Sequence, residues 1–152
     1  MVEVSDPLTG ISDIRLANSR VGLMEIFRFD CDWAAGHQMN SCAGEYCCGV
    51  LKICSSGASG WGEFAFAYPQ QKFDMIHWAC VFTHLKGLSI AGAIRYVQCG
   101  PEGWDDIRQK AALAALSDLA RQLLHPADQP QAAAYPLTRS YLIAHSQAYF
   151  SC

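Results

Sequence analysis

The 152 residues predict an α+β domain: a small antiparallel sheet of about three strands, followed by and packed on a bundle of about three helices. Three observations predict it. Strand-like segments are concentrated before Pro69, apolar spacing of three and four residues begins after it, and no strand recurs between the helices. The length suits one domain, with strands in about 11–68, helices in about 73–124, and a linker and tail in 126–152.

Ile11 to Leu16 alternates apolar with polar residues and reads as a first strand. Val21 to Phe29, apolar with β-branched and aromatic content, reads as a second. Asp30 to Gly44, rich in Gly, Asn, Ser and Cys, reads as a long loop. Glu45 to Cys54 and Trp61 to Phe66 then pair as a hairpin across a turn in Ser55 to Gly60.

In the second half, Phe73 to Leu85 is apolar around most of its circumference, which predicts a largely buried helix stopped by Gly87. Ser89 is placed to cap a short helix from Ile90 to Gln98, ended by Gly100-Pro101. Trp104 to Leu124 is the clearest helix. Asp105 and Asp106 complement its positive end, and Ile107, Leu113, Leu116, Ala120, Leu123 and Leu124 give it an apolar stripe. Pro126 to Pro136 reads as a linker and Ser140 to Ala144 as a short strand.

Composition narrows the function classes. Hydrophobic residues make up 51% and charged residues 16%, against about 25% charged in an ordinary soluble domain. Disorder is excluded, and so little charge suits a surface made to be covered. The net charge is −3 and no Lys/Arg cluster marks a phosphate-tracking face, so nucleic acid is not an expected partner. No apolar run is long enough to span a bilayer, and the N-terminus has no basic and apolar export pattern. A cytoplasmic protein is therefore expected. Its eight cysteines are expected to be reduced and mostly buried, since Cys packs as a small hydrophobe.

Few residues form a catalytic pattern. Glu45 and Glu63 fall on the hairpin and Asp105 and Asp106 on a helix start, without a paired-carboxylate motif. His77, Cys80 and His84 stand at i, i+3 and i+7, a spacing that aligns imidazole and thiolate zinc ligands on one face. No CxxC or HExxH accompanies them, so a buried Cys80 between two rim histidines is the preferred reading. No GxSxG elbow is present. The Gly57 to Gly62 segment joins strand to strand with no helix start to receive an anion, so a hairpin turn needing positive φ explains it better than phosphate binding.

Gly60-Trp61-Gly62-Glu63 after a hairpin, with Ala111 to Ala120 ending in Ala-Leu-Ser-Asp-Leu-Ala, resembles the N-terminal capping domain of the enolase superfamily, in its muconate lactonizing enzyme/mandelate racemase branch. The resemblance runs from about Ile11 to Tyr141. It assigns structural roles to Gly60, Trp61, Gly62, Glu63 and Asp118. It also makes Phe29, Trp33, Phe66 and Tyr68, on two loops, the candidates for facing a substrate.

Family members continue into a barrel that supplies the catalytic bases and the magnesium ligands, and those have no counterpart among these residues. The resemblance implies a stand-alone or truncated capping domain, non-catalytic by itself, with no cofactor of its own and a binding or assembly role. Its expected partner is a second copy or a barrel-type chain. Two rivals stand beside it: one part of a split magnesium-dependent enzyme that abstracts a proton from a carboxylate substrate, and a small metal- or thiol-based protein using His77, Cys80 and His84.

Overall fold

The strand Met24–Phe29 (β1) occupies an inner position of the sheet, and its burial explains its composition: five of its six residues, MEIFRF, are buried. In this computed structural model, which describes residues 14–29, 46–67, 75–125, 142–144, 146 and 148–152, β1 is flanked on both sides. Tyr46–Ser55 (β2) pairs antiparallel with it on one side, and Ala148–Ser151 (β4) on the other. Ala58–Ala67 (β3) completes a four-stranded antiparallel sheet in the order β3-β2-β1-β4. The helices Met75–Ala79 (α1), Ile90–Gln98 (α2) and Asp106–Leu124 (α3) follow the hairpin in the chain, with a 3-10 helix at Cys80–Leu85. The predicted α+β class holds, with β4 as the strand the sequence reading did not place.

The β2-β3 hairpin turns on two residues. Ser55 pairs with Ala58, and between them Ser56 (φ 50°) and Gly57 (φ 81°) both take positive φ. That is the backbone of a type I′ turn, whose twist matches the strands it joins. The turn is shorter than the predicted Ser55 to Gly60, because strand pairing resumes at Ala58.

One sheet face meets the helices. Met24, Ile26, Leu51, Ile53 and Phe64 share a buried core with Trp78, Phe82, Leu85, Val97, Leu116 and Leu119. Rings run through it in sequence: Phe64 to Trp78 at 4.8 Å, Trp78 to Phe82 and Phe82 to Trp104 at 5.3 Å each, and Trp104 to Tyr96 at 6.1 Å. The last three contacts are edge-on, the geometry favoured by the ring quadrupole.

Helix α3 lies closest to the sheet, along β3. Its buried residues are small over the first half, Ala111, Ala112 and Ala115, and the strand opposite is glycine at Gly60 and Gly62. A Cβ on Gly60 would come within 2.0 Å of the Ala115 carbonyl, and one on Gly62 within 2.1 Å of the Ala111 carbonyl. Asp105 caps α3 by accepting from the Arg108 N–H at 2.8 Å, and Ser89 caps α2 by accepting from the Gly92 N–H at 3.0 Å. The predicted boundaries of both helices hold to within two residues.

Three expectations are corrected. Of the strand expected over Ile11 to Leu16, residues 14–16 belong instead to a helical turn over 14–18, and residues 11–13 lie outside the described residues. Ile14 is exposed and the Arg15 guanidinium donates to the Leu123 carbonyl at the end of α3. Six alternating residues fit one helical turn as well as a strand, and the contact with α3 decides between them.

The single helix expected over Phe73 to Leu85 is α only to Ala79 and then tightens to 3-10. The Cys80 thiol bonds the His77 carbonyl at 2.9 Å and the Thr83 hydroxyl the Cys80 carbonyl at 2.6 Å, each three residues back. Residues 142–144 are helical where a strand was expected, and the strand lies later, at β4. The long loop Asp30 to Gly44 and the linker Pro126 to Pro136 lie outside the described residues.

The glycine contacts yield the first test. Gly62→Ala and Gly60→Ala should each destabilise the fold by about 1–3 kcal/mol through overpacking against the helix backbone. Gly22→Ala, whose Cβ would meet only the Cys54 carbonyl at ordinary contact distance, should stay within about 0.5 kcal/mol. Denaturant midpoints of the three variants decide it, and three equal midpoints would contradict the close approach.

Candidate functional site

The residues singled out by sequence fall into three places. Gly60, Trp61, Gly62, Glu63 and Asp118 come together at the seam between β3 and α3. Gly60 and Gly62 face the helix, and the strand alternation puts Trp61 and Glu63 on the opposite face. Asp118 accepts the Trp61 backbone N–H at 3.0 Å and pairs with Arg121 one turn on. Strand β3 is the edge of the sheet, and this carboxylate occupies an edge N–H that a foreign strand would otherwise use.

Phe29 is corrected. It ends β1 with 1% exposure and packs with Phe27, Cys48, Val50 and Leu142 in a second apolar cluster on the sheet face away from α1, α2 and α3, so it anchors that core rather than facing a substrate from a loop. Phe66 lies in β3 opposite Cys47, in a strand rather than a loop. Trp33 and Tyr68 lie outside the described residues.

His77, Cys80 and His84 are all exposed, and no group of three or more potential metal ligands is assembled among the described residues. Cys80 is corrected from buried to exposed, because the 3-10 turn rotates it outward and ties its thiol to the His77 carbonyl. Among the five cysteines whose burial is described, the expected burial is corrected with it, while Cys31 and Cys42 lie outside the described residues. Cys48 is buried, Cys54 and Cys152 are half-buried, and Cys80 and Cys99 are exposed, all as free thiols. Burial pushes the Cys152 thiol pKa up, and the nearby Lys86 charge pulls it part of the way back.

A polar set that sequence reasoning missed lies on the outer face. Trp61, Lys52, Glu25 and Ser151 stand side by side across β3, β2, β1 and β4. Glu25 has no exposure, and the Tyr149 hydroxyl donates to its Oε2 at 2.6 Å. The Lys52 ammonium lies 3.8 Å from Oε1 and 5.3 Å from the centre of the Trp61 ring. The Phe27 and Tyr149 rings lie 5.2 Å apart beside it.

One signal could have found this set: Glu25 is a carboxylate inside an otherwise apolar stretch, and buried charges need partners. Chemically the arrangement balances one carboxylate with one ammonium and gives it a hydrogen bond from one phenol. It ties three strands together.

No family model, curated protein or solved structure matches this chain. No helix among the described residues is long and apolar enough to cross a membrane.

Two measurements test the thiols. Under native conditions Cys80 and Cys99 should react with iodoacetamide ahead of Cys54 and Cys152, with Cys48 last. Mass spectrometry of the labelled peptides gives the order, and early labelling of Cys48 would contradict the packing of the second cluster.

Burial also makes the folded chain hold the Cys152 proton more tightly than the unfolded chain does. That contribution to stability is full below the ordinary thiol pKa and is lost as pH rises through the raised folded value. Urea midpoints should fall over that alkaline range less steeply in Cys152→Ser than in the parent chain. Identical slopes would contradict it.

Proposed function

We propose that this chain is a capping-like domain, non-catalytic by itself, that works by covering an apolar face of a barrel-type partner chain or of a second copy. One observation carries the reading: the two segments on which the enolase-superfamily resemblance rests, though 57 positions apart at Trp61 and Asp118, are joined in space by a hydrogen bond. Gly60 and Gly62 lie under Ala115 and Ala111 of the same helix, so both motifs serve one joint. The meander β1-β2-β3 followed by helices on one face gives that reading further support.

The residues expected over the substrate, Trp33, Phe66 and Tyr68, remain part of the proposal, while Phe29 is withdrawn from it. The free thiols suit a cytoplasmic setting, where glutathione keeps Cys reduced. Magnesium enters only with a barrel chain, which would supply its carboxylate ligands and the catalytic base.

The test is made on the purified chain. Incubated with simple 2-hydroxycarboxylates in deuterated water, with and without magnesium, it should leave the α-proton in place. Light scattering should report a mass above the 16.7 kDa of one chain. Magnesium-dependent deuterium incorporation would overturn the non-catalytic assignment. A monomer over a wide concentration range that also fails to bind an added barrel chain would overturn the covering role.

A further inference from the structure

We infer that the Tyr149 to Glu25 hydrogen bond is a latch on β4, so that β4 opens as a unit, ahead of the rest of the sheet, when that bond is lost. The inference is independent of the capping reading. Among the described residues β4, four residues long, has one sheet neighbour, β1, which lies more than a hundred positions earlier. Short edge elements held on one side are where local opening starts.

The side chain that ties β4 to the buried carboxylate is Tyr149. It stands opposite Phe27, diagonal to Glu25, a separation that an aromatic side chain spans across an antiparallel pair. Sliding β4 by two residues keeps its faces but sets Tyr149 directly opposite Glu25, too close for the full length of the phenol, or opposite Phe29, out of reach. The observed register therefore is the one that delivers the hydroxyl to the buried carboxylate.

Among the described residues, Lys52 reaches Glu25 from β2 and Tyr149 reaches it from β4. Lys52 holds Glu25 to β2, whose pairing continues through the hairpin into β3. Tyr149 alone of the two ties the carboxylate to β4. Losing the phenol therefore weakens the β1-β4 joint and leaves the β1-β2 joint with its ion pair.

Backbone alternation in β1 supplies an internal comparison. Met24 and Cys152 exchange both main-chain hydrogen bonds, at 2.9 and 3.0 Å, so the amides of Met24, Ile26 and Arg28 point to β4. Those of Glu25 and Phe27 point to β2. A latch that opens β4 alone therefore exposes every second amide of one strand.

The experiment is amide hydrogen exchange by NMR on the full chain and on Tyr149→Phe, with alkylation of Cys152 as a second readout. Exchange at Met24, Ile26 and Arg28 should accelerate by about tenfold or more, the factor set by losing a hydrogen bond to a charged acceptor. Glu25 and Phe27 should stay as in the parent. Cys152 should label faster relative to Cys99, and Cys48 should remain protected.

Equal acceleration of both amide sets, or none, would overturn the latch. Unfolding of the whole chain by Tyr149→Phe would overturn it too, since the bond would then hold more than β4. Glu25→Gln keeps an acceptor for the phenol and should move the three β4-facing amides less than Tyr149→Phe does. An equal or larger change would count against the hydrogen bond as the latch.

Discussion

The approach of the α3 backbone to the β3 backbone is the constraint on which the rest of the structure depends. With Gly60 and Gly62 on the strand and Ala111 and Ala115 on the helix, neither partner carries a side chain that would hold the two apart. At that distance Asp118 reaches the Trp61 N–H and occupies one of the outward-facing donors of the sheet edge. The larger core side chains then find their room on either side of the seam. Phe64 meets Trp78 beyond the glycines, and Leu116 and Leu119 share the core with Met24, Ile26, Leu51 and Ile53.

Arg108 shows how the helical layer is tied into this arrangement. Its Nε donates to the Trp78 carbonyl at 2.9 Å, its guanidinium stacks at 5.3 Å over the Trp78 ring, and a second nitrogen pairs with Asp105 at 3.0 Å. One side chain thus links the start of α3 to the turn where α1 passes into the 3-10 helix. The Asp105 pair is solvent-exposed on the carboxylate side and contributes little by charge alone. Its effect is to orient the guanidinium onto Trp78.

Where one local signal sufficed, the sequence was readable. Ser89 and Asp105 announce helix starts, Gly57 announces a turn, and the Ala-rich run of α3 announces a helix that packs closely. Legibility failed where distant partners decide. Residues 14–18 take their form from docking on the end of α3, and β4 from pairing with β1, and neither partner is visible in a local window.

The candidate site divides in the same way. Gly60, Trp61, Gly62 and Asp118 were found through their motifs and do meet, whereas Glu25, Lys52 and Tyr149 belong to three strands and no motif. His77, Cys80 and His84 had a metal spacing only for a continuous α-helix. The change to 3-10 at Cys80 removes that register.

The inner position of β1 also has a meaning in time. During synthesis β1 emerges well before its second neighbour, which lies 124 positions further on at the Glu25 to Tyr149 contact. At ribosomal speeds of about 5–20 residues per second, that interval lasts on the order of 6–25 s. For those seconds the apolar strand MEIFRF has at best one sheet neighbour, the condition under which nascent chains recruit chaperones or stick to one another. The arginine at position 28 and the carboxylate at position 25 put charge into that waiting strand. A residue buried in the finished sheet thereby also guards it while it is unfinished.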